Sequence, residues 1–72
     1  MDMRKLVGRN IQRYRRERQI SQEELAFQAQ SSRAYISGLE AGKRNPTIMS
    51  LVKFAEALHV SVYDLISDDT LK

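Results

Sequence analysis

Five polar residues that can cap a helix divide this chain into pieces so short that only a small helical bundle accommodates them. They are Asp2, Ser21, Ser32, Thr47 and Ser61. Such a side chain accepts a hydrogen bond from a first-turn backbone N–H that has no partner inside the helix. After Asp2, the apolar residues Met3, Leu6, Val7, Ile11 and Tyr14 recur at helical spacing, which predicts a helix reaching about Arg18. Ser21-Gln22-Glu23-Glu24 reads as a capping box for a second helix over about 21–28, with Leu25, Ala26 and Ala29 inward. Ser32 opens a third helix over about 32–41, with Ile36 and Leu39 inward and Gly42 placed to stop it. Pro46 keeps the following loop out of helix. Thr47 opens a fourth helix with Ile48, Leu51, Val52, Ala55 and Leu58 on one side. Ser61 and Asp64 box a short fifth helix holding Val62, Leu65 and Ile66. The expectation is an all-α domain over residues 1–66, with 67–72 a frayed acidic tail.

A chain of 72 residues allows one domain and buries only roughly 60–65% of its unfolded surface. It has no cysteine and a single histidine, His59, so no disulfide and no metal site is expected. No nucleophile–base constellation is evident, and neither a cofactor nor catalysis is expected. No apolar run is long enough to span a membrane, and Met1–Arg4 lead into no signal-peptide core. With the lack of cysteine, this points to a cytoplasmic protein. Met1, Met3 and Met49 read as core or start residues. So short a chain has no room for a ligand domain, so no small-molecule effector is expected, and small domains without staples often need a partner subunit.

The net charge of +3 is unevenly placed. Residues 1–18 carry seven basic and two acidic side chains, a net +5, and Lys43 and Arg44 add +2 in the loop. The intervening residues 19–40 and the final 48–72 are each −2. Two basic blocks form one anion-facing surface if the fold brings them together; otherwise they are a solvated helix face and a charged loop.

The short second and third helices, with about three residues between them, have the layout of a helix-turn-helix, whose second helix enters the DNA major groove. The outward residues of the third helix are short and polar, and 33–38 contain no acid. Arg33 suits guanine O6 and N7, Ala34 a thymine methyl, and Ser37 either donor or acceptor edges. Ser21, Gln22, Ser32 and Tyr35, with Lys43, Arg44 and Asn45 in the loop, are candidates for phosphate or edge contacts.

The string Ile20-Ser21-Gln22-Glu23-Glu24-Leu25-Ala26, then Ala29, then Ser32-Arg33-Ala34-Tyr35-Ile36-Ser37-Gly38-Leu39-Glu40, resembles the lambda-repressor-like helix-turn-helix family of Xre/Cro type. The likeness continues through Gly42-Lys43-Arg44-Asn45-Pro46-Thr47-Ile48 and covers about residues 4–66. Tyr35-Ile36-Ser37-Gly38 and the short length are similar to controller proteins of restriction–modification systems. The resemblance implies a compact five-helix DNA-binding domain. It also implies a DNA backbone or buttressing role for Gln22, and a salt bridge between Glu40 and Arg15. Four positions depart from the family pattern: Gln30 and His59 replace glycines, Ser31 replaces an aliphatic residue, and Gly38 stands where a base-reading side chain is common. A left-handed Gln30 is expected to cost about 1 kcal/mol.

The expected function is sequence-specific regulation of transcription by a homodimer on double-stranded DNA. Phe54, Val60, Val62, Tyr63 and Ile66 are the expected dimer surface. The alternative is an antitoxin-type interaction module, served by Phe27 and the apolar fifth helix, that binds DNA secondarily.

Overall fold

The computed structural model describes residues 2–68. It consists of α1 (Met3–Glu17), α2 (Gln22–Gln28), α3 (Arg33–Glu40), α4 (Ile48–Leu58) and α5 (Val62–Ile66), with no strand among the described residues. All five cap residues work as their chemistry dictates. The side chains of Asp2, Ser21, Ser32, Thr47 and Ser61 accept from the backbone N–H of Arg4, Glu24, Tyr35, Ser50 and Asp64. The reciprocal half of a capping box forms at Ser61–Asp64. At α2 only the serine half forms, and the Glu24 carboxylate instead accepts from Gln28 Nε2 at 3.4 Å.

Four helices end in one geometry. Gln19, Gln30, Gly42 and His59 have φ of 57, 56, 76 and 58°. The next residue in each case donates its N–H to the carbonyl five positions back: Ile20 to Arg15, Ser31 to Ala26, Lys43 to Gly38 and Val60 to Ala55. This closure satisfies carbonyls that the helix leaves open. Glycine adopts it freely, whereas a side chain there is strained by roughly 1 kcal/mol.

The apolar core draws on every helix and centres on Ile11, Leu25, Ile36, Leu39, Phe54, Leu58 and Leu65. Phe54 is a correction to the expected dimer surface. Its side chain is only 2% exposed, because Leu51, Phe54, Ala55 and Leu58 form the i, i+3, i+4, i+7 stripe that α4 turns inward. Ile48, expected inside, is 71% exposed: it stands in the first turn of α4, one turn ahead of that stripe. Met3 and Met49 are likewise exposed and outside the core, and Met1 lies outside the described residues. Of the expected tail, residues 69–72 also lie outside them. Ser67 is held, since buried Asn10 donates Nδ2 to Leu65 O at 2.9 Å and Ser67 O at 3.0 Å. One polar side chain within the buried face of α1 thus fastens the end of α5.

Gly8 sets how closely α1 approaches α3. A Cβ on it would run into the carbonyl oxygen of Leu39, so nothing larger than hydrogen fits. Gly8→Ala is expected to destabilise the domain by about 1–3 kcal/mol through overpacking, although alanine is the better helix former. Gln30→Gly should stabilise it by about 0.5–1 kcal/mol, the relieved strain less the added freedom of the unfolded chain. Urea denaturation of both variants checks the two signs.

Candidate nucleic-acid interface

Residues 29–32 turn the chain from α2 into α3, and α3 exposes Arg33, Ala34 and Ser37. Its other side, Ile36 and Leu39, is buried. This division follows from the helical repeat, since 33, 34 and 37 share one face and 36 and 39 another. Ser32, Lys43, Arg44 and Asn45 are also exposed, as is Ser21 at the start of α2. The hydroxyls of Ser21 and Ser32 are already engaged as caps.

Tyr35 is half-buried between two neighbours. Its ring stacks with Phe54, centroids 6.3 Å apart and planes 24° from parallel. The Arg44 guanidinium lies over the Tyr35 ring, 5.6 Å from its centroid, a cation–π distance. Arg44 also runs along Gly38, where a Cβ would come within 3.0 Å of its Cγ and Nε. The missing side chain at 38 therefore makes space on α3 for an arginine from the loop.

The only acid of α3, Glu40, is turned away from this surface, with its side chain 3% exposed. Arg15 Nε donates to Glu40 Oε2 at 2.6 Å and Arg15 Nη2 to Oε1 at 3.0 Å. Gln22 Nε2 and Gln12 Nε2 donate to Oε1 at 3.1 and 3.3 Å. Arg15 Nη1 donates to Ile20 O at 2.9 Å, so the same guanidinium also holds the α1–α2 connection. Burial pushes the Glu40 carboxyl up, but bonds from Arg15 and Gln22, the charge of Arg15 and the bond from Gln12 outweigh it and hold the group below the usual carboxylate range. The exposed face of α3 and the adjoining loop keep Arg33, Lys43 and Arg44 with no exposed acid among residues 32–45.

Gln12 was not foreseen as a third anchor of Glu40; nothing in its sequence context marks it. Gly8 and Asn10 did leave signals, a glycine inside a helix and an amide among apolar neighbours. Of the other residues expected at a dimer surface, Tyr63 is 71% exposed and Ile66 partly so, while Val60 and Val62 are half-buried against the core. Phe27 is 84% exposed.

Glu40→Gln should destabilise the domain by about 3–5 kcal/mol at neutral pH, because the buried Arg15 charge loses its partner. The pH dependence has a definite sign. A carboxyl whose folded pKa is depressed contributes stability above its unfolded value of about 4.3, and that contribution is lost as pH falls through the folded value. Denaturation of wild type and variant between neutral and acidic pH should show the gap closing on acidification.

The helix-turn-helix family profile matches residues 11–65. The chain is 49% identical over 67 residues to the HTH-type transcriptional regulator y4dJ of Sinorhizobium fredii, covering 93% of this chain and 87% of that protein. It is 36% identical to the control protein C.SmaI of Serratia marcescens, covering 100% and 86%. Among solved structures, it superposes with a TM-score of 0.86 on the restriction–modification controller protein C.Esp1396I, a tetramer in complex with its natural 35 base-pair operator. That match is at 33% identity over 100% of this chain and 99% of the other. With this profile match and these relatives, the chain belongs to the helix-turn-helix family of transcriptional regulators.

Proposed function

We propose that the protein is a sequence-specific double-stranded DNA-binding transcriptional regulator, acting as a homodimer on a palindromic operator with α3 in the major groove. The observation that carries this reading is the exposed, acid-free strip Arg33, Ala34 and Ser37, bordered by Lys43, Arg44 and Asn45. Arg33 reads guanine through two parallel hydrogen bonds, Ala34 meets a thymine methyl and Ser37 a neighbouring base edge. Lys43, Arg44 and Asn45 meet phosphates beyond one end of α3, and Ser21 and Ser32 meet them at the other, which sets register without reading sequence. Tyr35 packs on Phe54 and carries Arg44, so it acts on DNA through that arginine. Gln22 spends its amide on Glu40, which favours buttressing over backbone contact. The operator complex of C.Esp1396I supports the same mode of binding, and the match to C.SmaI along the full chain supports a controller-type regulator.

Pairing follows from size. A single module buries roughly 600–1,000 Å² on DNA, and a two-fold pair on half-sites roughly 34 Å apart, or a multiple, supplies the missing specificity. Ile48, Met49, Tyr63 and Ile66 are four of the six large apolar side chains exposed among the described residues, and all four lie in α4 and α5. The pairing surface we assign is therefore Val60, Val62, Tyr63 and Ile66, extended by Ile48 and Met49. The protein has no catalytic role and acts where bacterial DNA lies, in the cytoplasm. Family membership favours this regulator over the antitoxin-type module, for which the bare Phe27 is the remaining argument.

Selection of bound duplexes from a random pool should return a palindrome. On that site Arg33→Ala should cost about 1–3 kcal/mol and relax preference at one base pair per half-site. An equal loss on random DNA removes Arg33 from base reading. Lys43→Ala should weaken all sequences and lower the salt slope by about one unit for each protomer. Sedimentation equilibrium at micromolar concentration should show the dimer; a strict monomer refutes the pairing.

A further inference from the structure

The basic residues of α1 and of its C-cap, Arg18, fall into two groups. Arg4 pairs with Asp2, Arg15 with Glu40, and Arg18 with Glu17. Arg13 and Arg18 also lie over the Tyr14 ring, 4.7 and 5.3 Å from its centroid. Lys5, Arg9 and Arg16 are exposed and form no ion pair among the described residues. At 100° per residue these three fall within one arc of about 40° on α1. From 5 to 16 they span about 16 Å, the axial length of roughly five base pairs. No acid of α1 shares that arc, since Asp2 precedes the helix and Glu17 turns toward Arg18.

This stripe is continuous with the loop that meets phosphates in the reading above. A Cβ on Gly42 would sit 2.7 Å from Lys5 Cγ and 3.2 Å from Lys5 Cα, so the N-terminal end of the stripe abuts the turn that carries Lys43 and Arg44. Like charges on one face repel one another, and the four other arginines of the segment are drawn off by acids or by Tyr14. Three cations left in line beside a basic loop match a row of regularly spaced anions. A nucleic-acid backbone is such a row.

We propose that Lys5, Arg9 and Arg16 bind the phosphates of DNA flanking the sequence that α3 reads, on the side of the Lys43–Arg44 turn. The contact adds affinity and salt dependence without base preference. The inference rests on the reading of the protein as a DNA-binding regulator.

The test compares two duplexes carrying the selected site, one trimmed to its edges and one extended by a helical turn on each side. Wild type and the Arg9→Gln, Arg16→Gln double variant are titrated on each by fluorescence anisotropy over a range of salt concentrations, after thermal melts establish that both are folded. The wild-type salt slope should be steeper on the extended duplex than on the trimmed one by about three units for each protomer bound. In the variant, that difference should fall to about one unit for each protomer, the contribution of Lys5, with base preference in the core site intact. A wild-type slope independent of duplex length, or a variant that keeps the wild-type length dependence, overturns the proposal. A wild-type protein that binds neither duplex overturns the functional reading itself.

Discussion

The carboxylate of Glu40 is the point where three helices meet. It ends α3, receives two bonds from Arg15 and one from Gln12 on α1, and one from Gln22 at the start of α2. Its position depends on Gly8, because α1 reaches Glu40 only by crossing α3 at a distance that a methyl group would block. The two devices act together. Gly8 allows the approach, and Glu40 with Arg15 fixes it in rotation and register. The charged pair contributes little net energy in such a setting, since desolvation offsets its attraction, but loss of either member leaves a buried charge. It therefore acts as a lock more than as a source of stability.

The lock also shapes the surface. An acid at the end of a helix that faces DNA repels phosphate if it is exposed. Turned inward and neutralised by Arg15, Glu40 leaves α3 and the following loop with cations alone. Pairing removes Arg15 from that surface at the same time. The charge of the N-terminal segment is thus not one reservoir. Arg15 is structural, Arg13 and Arg18 rest on Tyr14, and Lys5, Arg9 and Arg16 remain turned to solvent. On the far side of α3, Arg44 lies across Gly38 and over Tyr35, so the loop and the helix present one combined surface.

Much of this could be read along the chain. The five caps, the inward Leu25, Ile36 and Leu39, and the outward Arg33, Ala34 and Ser37 follow from spacing and side-chain chemistry within a turn or two. The Gln30 strain was legible too, since a left-handed residue must follow α2 and the chain offers glutamine there. Gln19 takes the same conformation at the end of α1 without any such cue. Phe54, expected at the dimer surface, lies in the core, where its own spacing to Leu51 and Leu58 puts it. Ile48 failed in the opposite sense: the periodicity included it, but it stands in the first turn of α4 and is left exposed.

Local chemistry thus determines where each helix starts, and most of where it ends and which of its faces is apolar. Those properties depend on residues within about five positions of one another, where backbone hydrogen bonds and caps act. Which polar and charged residues spend themselves inside the molecule was decided only by tertiary packing. Asn10 reaches across 55 residues to Leu65, Arg15 across 25 to Glu40, and Gln22 across 18 to the same carboxylate. No periodicity encodes such distances, because each depends on the angle and separation at which helices cross. The cations left over after those pairings make the surface on which the proposed function rests.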